Sequence, residues 1–347
     1  YIIDIAQDLK DKNGDVHKDA TDIAPFIQAA ESTIFLQIKK TLNRIGLKFD
    51  KFFNENSLYE SGAIEEVVAA LRQKGLIYEK EGATWFKATK AGRDQDRVII
   101  KSSGEPTYRL PDIAYHRNKF ERGYDLIVDV LGADHMDAYP DVLAGIEQLG
   151  YDTNKVKVLI HQFVTLMEKG EPVKMSTRKA QYITLDELID EVGQDVVRYF
   201  FIMRGMNTHL NFDMDLAKDE SDENPVYYLQ YAHARLCNIL KHAETQGYKL
   251  DENIDLTPLT LDSEINLIKL LLEFPNIIEK TKDNMEPQSI ANYLQSLAGM
   301  FHKYYAKERV VTEDTDKTAA RLVLVKALQI VLSNGLSVLG IHAPEKM

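Results

Sequence analysis

The sequence predicts an α/β domain followed by an all-helical domain, because the spacing of apolar residues changes along the chain. Two nearly continuous apolar runs, DLIVDVLG at 125–132 and VKVLIHQFV at 156–164, are typical of strands buried on both faces of a parallel sheet. A helix-like segment that ends at Gly150 separates them. Strand, helix and strand in this order predict a βαβ unit.

The last part of the chain carries only helix signals. Asn224 followed by Pro225 is a strong helix start, and Gly247 closes that helix. We expect Pro275 to break or kink a later helix, since proline removes a backbone hydrogen bond. Three further helices are expected around residues 262–282, 287–309 and 315–340.

The first third of the chain mixes helices with hairpins. Apolar residues recur at helical spacing over 22–45, which predicts a long amphipathic helix. A shorter helix is expected over 61–75, where Gly75 is the stop signal. The segments 76–89 and 97–110 are typical of β-hairpins, each with a turn of small or charged residues at its centre.

Two more helices are expected between the second apolar run and the acidic run that follows. Thr184 and Glu187 match a capping box, which starts a helix that ends near Gly193. Residues 195–205 are expected to form another helix, because their apolar positions repeat at helical spacing.

Length and composition are those of a soluble protein of two domains. A chain of 347 residues is too long for one small core; the acidic run 213–224 divides it into domains 1–212 and 213–347. The net charge of −12 argues against indiscriminate nucleic-acid binding. A single cysteine, Cys237, fits a reducing cytoplasm, and no apolar run approaches the roughly 18 residues that span a bilayer.

Three short motifs are candidates for a nucleotide site or for recognition of a cationic ligand. Gly132 and Asp134 follow the first apolar strand, at the edge where parallel sheets bind nucleotides; a plain turn and helix cap is the alternative. In TYRLPDIAYH, Tyr108 and Asp112 place an aromatic ring and a carboxylate four residues apart, around a strand-to-helix corner expected at Pro111. Such a pair suits a guanidinium, although a core tyrosine and a helix cap would look the same.

A basic segment follows the second apolar strand. In EKGEPVKMSTRK, a Glu-Lys-Gly turn precedes Lys174, Ser176, Thr177 and Arg178. Lysine and arginine together can hold a polyphosphate and offset charge on a leaving pyrophosphate. A solvated basic loop is the alternative.

Four side chains share one face of the helix that starts at Pro225. Tyr227, Tyr231, Arg235 and Asn238 lie at spacings of four, four and three. Aromatic rings with an arginine can stack unpaired RNA bases, whereas a tyrosine stripe in a protein core would show the same spacing.

The order of these motifs resembles the arginyl-tRNA synthetases, a class I family. The resemblance extends over essentially the whole chain through YRLPDIAYH, LGADH, VKMSTRKAQ, NPVYYLQYAHAR and GLSVLGIHAPEKM. It implies part of a Rossmann-type catalytic domain with a stem-contact region, followed by a helical-bundle anticodon-binding domain. Tyr227, Tyr231, Arg235 and Asn238 are then candidate tRNA contacts.

The resemblance also implies site roles and a reaction. Arginine would attack the α-phosphate of ATP, supplied with Mg²⁺, and the arginyl group would then pass to tRNA(Arg). A cytoplasmic monomer with no structural metal and no membrane partner is expected. The implied roles are catalytic for Lys174, Ser176 and Arg178, ATP-binding for Gly132, Asp134, His135, Lys174 and Met175, and arginine-binding for Tyr108 and Asp112.

Two departures from the family pattern bear on activity. Thr177 stands where the KMSKS pattern has its second lysine, so Lys174 and Arg178 must share that task. No HIGH-like His-x-Gly-His occurs in these residues, so we expect it upstream of Tyr1 in a longer chain. These 347 residues alone are therefore expected to hold half of an ATP site and not to aminoacylate tRNA.

Two alternatives stay open at this level. A cysteinyl-type class I synthetase shares the helical bundle, but it would need a zinc site built largely from cysteines, and only Cys237 is present. A synthetase-like tRNA-binding protein without catalysis would keep the bundle and lose the upstream motif.

Overall fold

The structure, a computed structural model, describes residues 1–173, 183–251 and 253–347. These residues form two compact units. The α/β unit consists of Phe49–Val164 and Met206–Leu210. The helical unit consists of Tyr1–Lys48, Thr165–Gly205 and Asn211–Met347.

Helices dominate both ends of the chain, and most of the strands lie in its middle. The first elements are α1 (Ile2–Asn13), α2 (Ala24–Arg44), α3 (Asn56–Glu60), α4 (Ala63–Gln73), β1 (Ile77–Lys80), β2 (Ala83–Phe86), β3 (Arg97–Ile100), α5 (Arg109–Glu121), β4 (Ile127–Gly132), α6 (Tyr139–Leu149) and β5 (Val156–His161). They are followed by β6 (Val164–Glu168), β7 (Glu171–Pro172), α7 (Leu185–Val192), α8 (Gln194–Ile202), β8 (Leu210–Asp213), α9 (Met214–Lys218), α10 (Pro225–Thr245), α11 (Asp262–Asn284), α12 (Gln288–Tyr305) and α13 (Thr315–Val338).

The first predicted hairpin is confirmed, and the second is present as a short antiparallel turn with one bridge. Strands β1 and β2 pair antiparallel across Glu81 and Gly82, whose positive φ angles are those of a tight hairpin turn. Beyond β3, a single bridge joins Ile100 to Pro106, and the chain enters α5 at Arg109. The backbone N–H of Lys101 donates to the Glu105 carbonyl at 2.8 Å and that of Thr107 donates to the Ile99 carbonyl at 2.8 Å, so the second arm is short and ends where α5 begins.

The predicted βαβ unit is confirmed, since β4 and β5 pair in parallel and α6 lies between them in sequence. The expectation that both faces are buried is wrong. Ile127 and Asp129 are buried, while Val128 is exposed and Val130 is 65% exposed. Among the described residues this sheet has two strands, and α5 contacts the face that carries Asp129. Alternating burial is therefore the result of a sheet covered on one side.

An ion cluster joins three segments of the α/β unit. Asp141 is 1% exposed and accepts hydrogen bonds from Arg93 at 2.9 Å, Arg97 at 2.8 Å and Arg109 at 2.9 Å. Burial alone would raise the pKa of Asp141, but the three guanidinium groups outweigh it and lower that pKa. This cluster fixes the start of α5 against α6.

The expected helix starts of the helical unit are confirmed. The side chain of Thr184 accepts from the backbone of Glu187, and Glu187 returns the bond, which completes the capping box. The side chain of Asn224 accepts from the backbone N–H groups of Val226 and Tyr227 at the start of α10. Helix α11 continues through Pro275.

The long helices α2 and α13 have opposite surroundings. The predicted helix over 22–45 is present as α2, but none of its residues is buried, and Leu36 is exposed. Helix α13 is long and apolar enough to cross a membrane by composition, and half of that apolar stretch is buried in the helical unit. Its Arg321 forms a buried ion pair at 2.7 Å with Glu264 of α11, so α13 is a core helix of the bundle.

Candidate functional site

A small polar cavity lies in the α/β unit between α5, α6 and the parallel strands. Its volume is about 170 Å³. The polar residues that line it are Asp112, Tyr115, His116, Lys119, Asp129, His135 and Tyr139. Apolar side chains such as Leu131, Val142 and Val158 complete its wall. The cavity therefore combines an apolar wall with a few charged groups, as small-molecule sites do.

One of its two carboxylates is already neutralised by the protein. Asp129 Oδ2 lies 2.7 Å from His116 Nε2, and Lys119 donates to the other oxygen of Asp129. Burial would raise the pKa of Asp129, but these two partners outweigh it and lower the pKa to about 2. Asp129 thus carries its own countercharges and has little capacity left for a cationic ligand.

The other carboxylate, that of Asp112, is free for a ligand. No described side chain donates a hydrogen bond to it or forms an ion pair with it. Burial raises its pKa, while the nearby His116, His135 and Lys119 act in the opposite direction. A half-buried carboxylate without a bonded partner is stabilised when a cation enters beside it.

The predicted partner of Asp112 lies elsewhere. Tyr108 precedes α5 and is 91% exposed, and it does not line the cavity. Helix α5 begins at Arg109, so the expected corner at Pro111 is wrong: Pro111 lies in the first helical turn, where its missing N–H costs nothing. Tyr115 supplies an aromatic wall instead, with its ring 4.7 Å from Lys119 Nζ.

Three residues of this cavity, His116, Lys119 and Asp129, were not predicted from the sequence. The signal was present in DLIVDVLG, because an aspartate in the middle of an apolar strand must be paired when it is buried. Its partners lie 13 and 10 residues earlier, on a helix. The sequence shows no pattern that would connect them.

The LGADH motif lies at the carboxyl end of β4, as predicted. Gly132 pairs with His161 of β5 at the end of the ladder, and Ala133–His135 form one turn of 3₁₀ helix. A Cβ on Gly132 would lie 2.5 Å from Asp134 Oδ1, so glycine here makes room for the Asp134 carboxylate. His135 lines the cavity and is brought to Asp112, whereas Gly132 and Asp134 are not among the lining residues.

The predicted catalytic loop can be followed only up to its first turn. Strands β6 and β7 pair antiparallel across Lys169 and Gly170, both with positive φ, so the expected Glu-Lys-Gly turn is confirmed. The predicted Lys174, Met175, Ser176, Thr177 and Arg178 lie outside the described residues.

The predicted aromatic face of α10 is present in the helical unit. The rings of Tyr227 and Tyr231 are stacked, with centroids 6.4 Å apart and an angle of 11° between planes. The guanidinium carbon of Arg235 lies 4.6 Å from the Tyr231 ring centroid and 5.5 Å from that of Tyr305. These side chains are half-buried, so their outer faces are accessible.

A wide cavity of about 640 Å³ adjoins this face; we call it the aromatic cavity. Tyr231, Arg235 and Asn238 line it, whereas Tyr227 does not. Its lining also includes residues that were not predicted from the sequence, namely His242, Tyr305, Lys307, Glu308 and Arg309. All of these except His242 of α10 lie in HKYYAKER, at and just after the end of α12, where two tyrosines are flanked by cations, and that composition was the available signal.

The fold of the chain is similar to that of solved structures. The fold matches the Thermus thermophilus arginyl-tRNA synthetase with a TM-score of 0.76 at 21% identity, covering 99% of this chain and 69% of that one. It also matches a Mycobacterium tuberculosis methionyl-tRNA synthetase with a TM-score of 0.68 at 13% identity, covering 96% and 81%. These two similarities show that the chain shares its fold with both structures.

The family follows from the sequence. Residues 5–219 match the family "tRNA synthetases class I (R), catalytic domain", and residues 229–347 match "DALR anticodon binding domain". A Campylobacter jejuni crystal structure assigned as an arginyl tRNA synthetase has a TM-score of 0.89 at 32% identity, covering 100% of this chain and 75% of that one. The chain belongs to the class I arginyl-tRNA synthetase family.

Curated relatives are similar along the whole chain. Arginine–tRNA ligase of Desulfotalea psychrophila is 53% identical over 349 residues, and that of Salinibacter ruber is 51% identical over 347 residues. Each alignment covers 100% of this chain and, respectively, 63% and 62% of the relative. The chain thus spans somewhat less than two thirds of the length of these relatives.

Proposed function

We propose that the protein acts as an arginine–tRNA ligase, which activates L-arginine with ATP and transfers it to tRNA(Arg). The observation that carries this proposal is the unpaired Asp112 carboxylate in a small cavity whose other acid, Asp129, is neutralised internally. A site with one free negative charge selects one cationic group. Family membership supports the identity of the substrate.

Asp112 binds the guanidinium of arginine in this proposal. Its two oxygens accept a pair of parallel N–H bonds, which a guanidinium offers and an ammonium does not. Tyr115 flanks the same cavity and provides a ring face for the planar cation. Tyr108, which is exposed just before α5, would act only by closing over a bound ligand.

Activation requires positioning and charge stabilisation. A carboxylate oxygen of arginine attacks the α-phosphorus of ATP, the bond to the β-phosphate oxygen breaks, and pyrophosphate leaves. The ribose hydroxyl of tRNA then attacks the arginyl carbonyl carbon, and AMP leaves. Lys174, Ser176 and Arg178 would bind the phosphates together with Mg²⁺, and Gly132, Asp134 and His135 would contribute to ATP binding.

The aromatic cavity would receive the tRNA. Tyr231 and Tyr305 offer ring faces for unstacked bases, and Arg235, Lys307 and Arg309 supply positive charge. Anticodon binding is the activity named for the matching family. We place this reaction in the cytoplasm, since the single cysteine of this sequence is suited to a reducing compartment, and we further propose that the enzyme acts as a monomer.

Steady-state kinetics of the full-length enzyme test the proposal. Asp112→Ala should raise the arginine KM by a factor that corresponds to roughly 2–4 kcal/mol, because a desolvated guanidinium loses a charged partner. The ATP KM should change far less. Asp125→Ala, which removes an exposed carboxylate of the same unit, is the matched control and should leave both constants unchanged. Equal increases in both KM values for Asp112→Ala would mean that Asp112 has a structural role.

A further inference from the structure

A second wide cavity lies on the neighbouring face of α10, and its lining is strongly basic. Its volume is about 630 Å³, and we call it the lysine cavity. Four lysines line it together with two glutamates, namely Lys241, Lys249, Lys326, Lys346, Glu244 and Glu345. An excess of two positive charges in one cavity stands out in a chain with a net charge of −12.

The lysines of this cavity are not used by the fold. None of the four forms an ion pair with another side chain in the described part of the protein. Lys326 is held in place because its Nζ donates to Gln329 Oε1 at 2.8 Å, and Gln329 Nε2 lies 3.4 Å from Cys237 Sγ. Unpaired cations that converge on a concave surface raise the local concentration of anions.

The two cavities of α10 meet at one residue and differ in chemistry. Asn238 lines both of them. The aromatic cavity presents Tyr231 and Tyr305, whereas the aromatic residue of the lysine cavity, Tyr248, donates its hydroxyl to the Thr312 carbonyl. One cavity therefore offers ring faces for bases, and the other offers ammonium groups for phosphates.

We propose that the lysine cavity binds phosphodiester groups of the RNA strand whose bases enter the aromatic cavity, so that the strand crosses α10 at Asn238. This inference rests on the proposed binding of tRNA by the helical unit. It extends the RNA surface beyond the predicted face of Tyr227, Tyr231, Arg235 and Asn238. The phosphate contacts set position and affinity and carry no base specificity.

The salt dependence of RNA binding tests this proposal. The affinity of the whole chain for a tRNA(Arg) transcript is measured by fluorescence anisotropy between about 50 and 200 mM salt. In the triple variant Lys241→Gln/Lys249→Gln/Lys326→Gln, three phosphate contacts are lost. The slope of log affinity against log salt should become shallower by about 2, and affinity at the lowest salt should fall at least about tenfold.

Matched variants show whether a change in slope comes from the loss of charge, from the position of the lysines or from unfolding. Lys269, Lys280 and Lys282 are exposed on α11 and line neither cavity, so their triple change to glutamine removes equal charge and should leave the slope unchanged. The double variant Lys241→Gln/Lys249→Gln changes only exposed residues and serves if the triple variant is unfolded. Its slope should change by about two thirds of the amount expected for the triple variant.

The outcomes distinguish this inference from the proposed function. If Tyr231→Ala and Arg235→Ala weaken tRNA binding while the lysine variants keep the wild-type slope, the lysine cavity is not part of the RNA site. If the wild-type chain does not bind the transcript, both the inference and the proposed tRNA binding are wrong. Tripolyphosphate serves as a free-phosphate probe: binding that needs the lysines, with an unchanged RNA slope, would assign the cavity to a free polyphosphate and overturn the RNA assignment.

Discussion

The ligand cavities of the two units are opposite in size and in charge. The α/β unit has a cavity of about 170 Å³ in which the Asp112 carboxylate has no bonded partner among the described side chains. The helical unit has two wide cavities of about 640 and 630 Å³ that are rich in cations. The first suits one small cation, and the others suit an extended anion. Size and sign together agree with the two proposals, which are a small-molecule ligand for one unit and a nucleic acid for the other.

Both units also contain ion pairs that hold the fold, and these are buried. Asp141 with its three arginines serves this role in the α/β unit, and Glu264 with Arg321 serves it in the bundle. The charges assigned to ligands, such as Asp112 and Lys241, have no such partner among the described residues. Pairing therefore distinguishes these structural charges from Asp112 and Lys241, which are proposed to bind ligands.

The largest effect is expected from a substitution that breaks a structural ion pair. Glu264 is fully buried and accepts from Arg321 at 2.7 Å and from the Tyr304 hydroxyl at 3.3 Å. Glu264→Ala leaves a guanidinium buried with only part of its countercharge, so the free energy of unfolding should fall by about 3–5 kcal/mol. Urea denaturation measures it. Glu244→Ala, at an exposed position, should change the free energy of unfolding by less than about 0.5 kcal/mol. Equal losses in the two variants would contradict the distinction between structural charges and charges proposed to bind ligands.

The next effect concerns the pH dependence of stability. The pKa of Asp129 is about 2 in the folded chain and 3.8 without its surroundings, so the unfolded chain binds more protons between these values. Stability should therefore fall as the pH drops from about 4 to about 2, by about 2 kcal/mol for this group.

Asp129→Asn isolates that contribution. The variant should be less stable at neutral pH, because His116 and Lys119 lose their countercharge, and the difference from wild type should shrink below pH 4. Urea denaturation at a series of pH values measures this difference. A difference that is constant from pH 2 to pH 7 would show that Asp129 is not held ionised by its partners.

A smaller effect is expected at the aromatic cavity. Arg235→Ala removes a cation that lies over two rings and should weaken binding of a tRNA(Arg) transcript by roughly 1–2 kcal/mol. Filter binding at fixed salt measures the change. Lys269→Ala on α11 is the control for loss of one charge and should have little effect. If both variants weaken binding equally, RNA attraction is a matter of net charge and the cavity has no special role.

Local sequence patterns predicted the elements well. The Thr184–Glu187 capping box and the Asn224 cap lie in the positions expected from residues within three of each other. The βαβ unit was predictable for the same reason, since its strands and helix each carry their own apolar pattern. Predictions that depended on what covers an element were weaker, as the exposed Val130 of β4 and the exposed face of α2 show.

The candidate site was only partly predictable. Asp112 was found because an acid and an aromatic residue lie close in sequence, but the bonds of Asp129 in the same cavity join a later strand to a helix. Glu264 and Arg321 are 57 residues apart and carry no shared pattern. Pairings across such distances are set by tertiary packing, which the spacing of residues along the chain does not encode.

Calorimetric titration of L-arginine and L-citrulline into this chain is the most direct measurement of whether Asp112 selects a guanidinium. Citrulline has the shape of arginine with a neutral urea group. Arginine should bind at least about 30-fold more tightly than citrulline, and Asp112→Ala should abolish that preference. Equal affinities in the wild-type chain, no binding of arginine, or a preference that survives in Asp112→Ala would contradict the assignment.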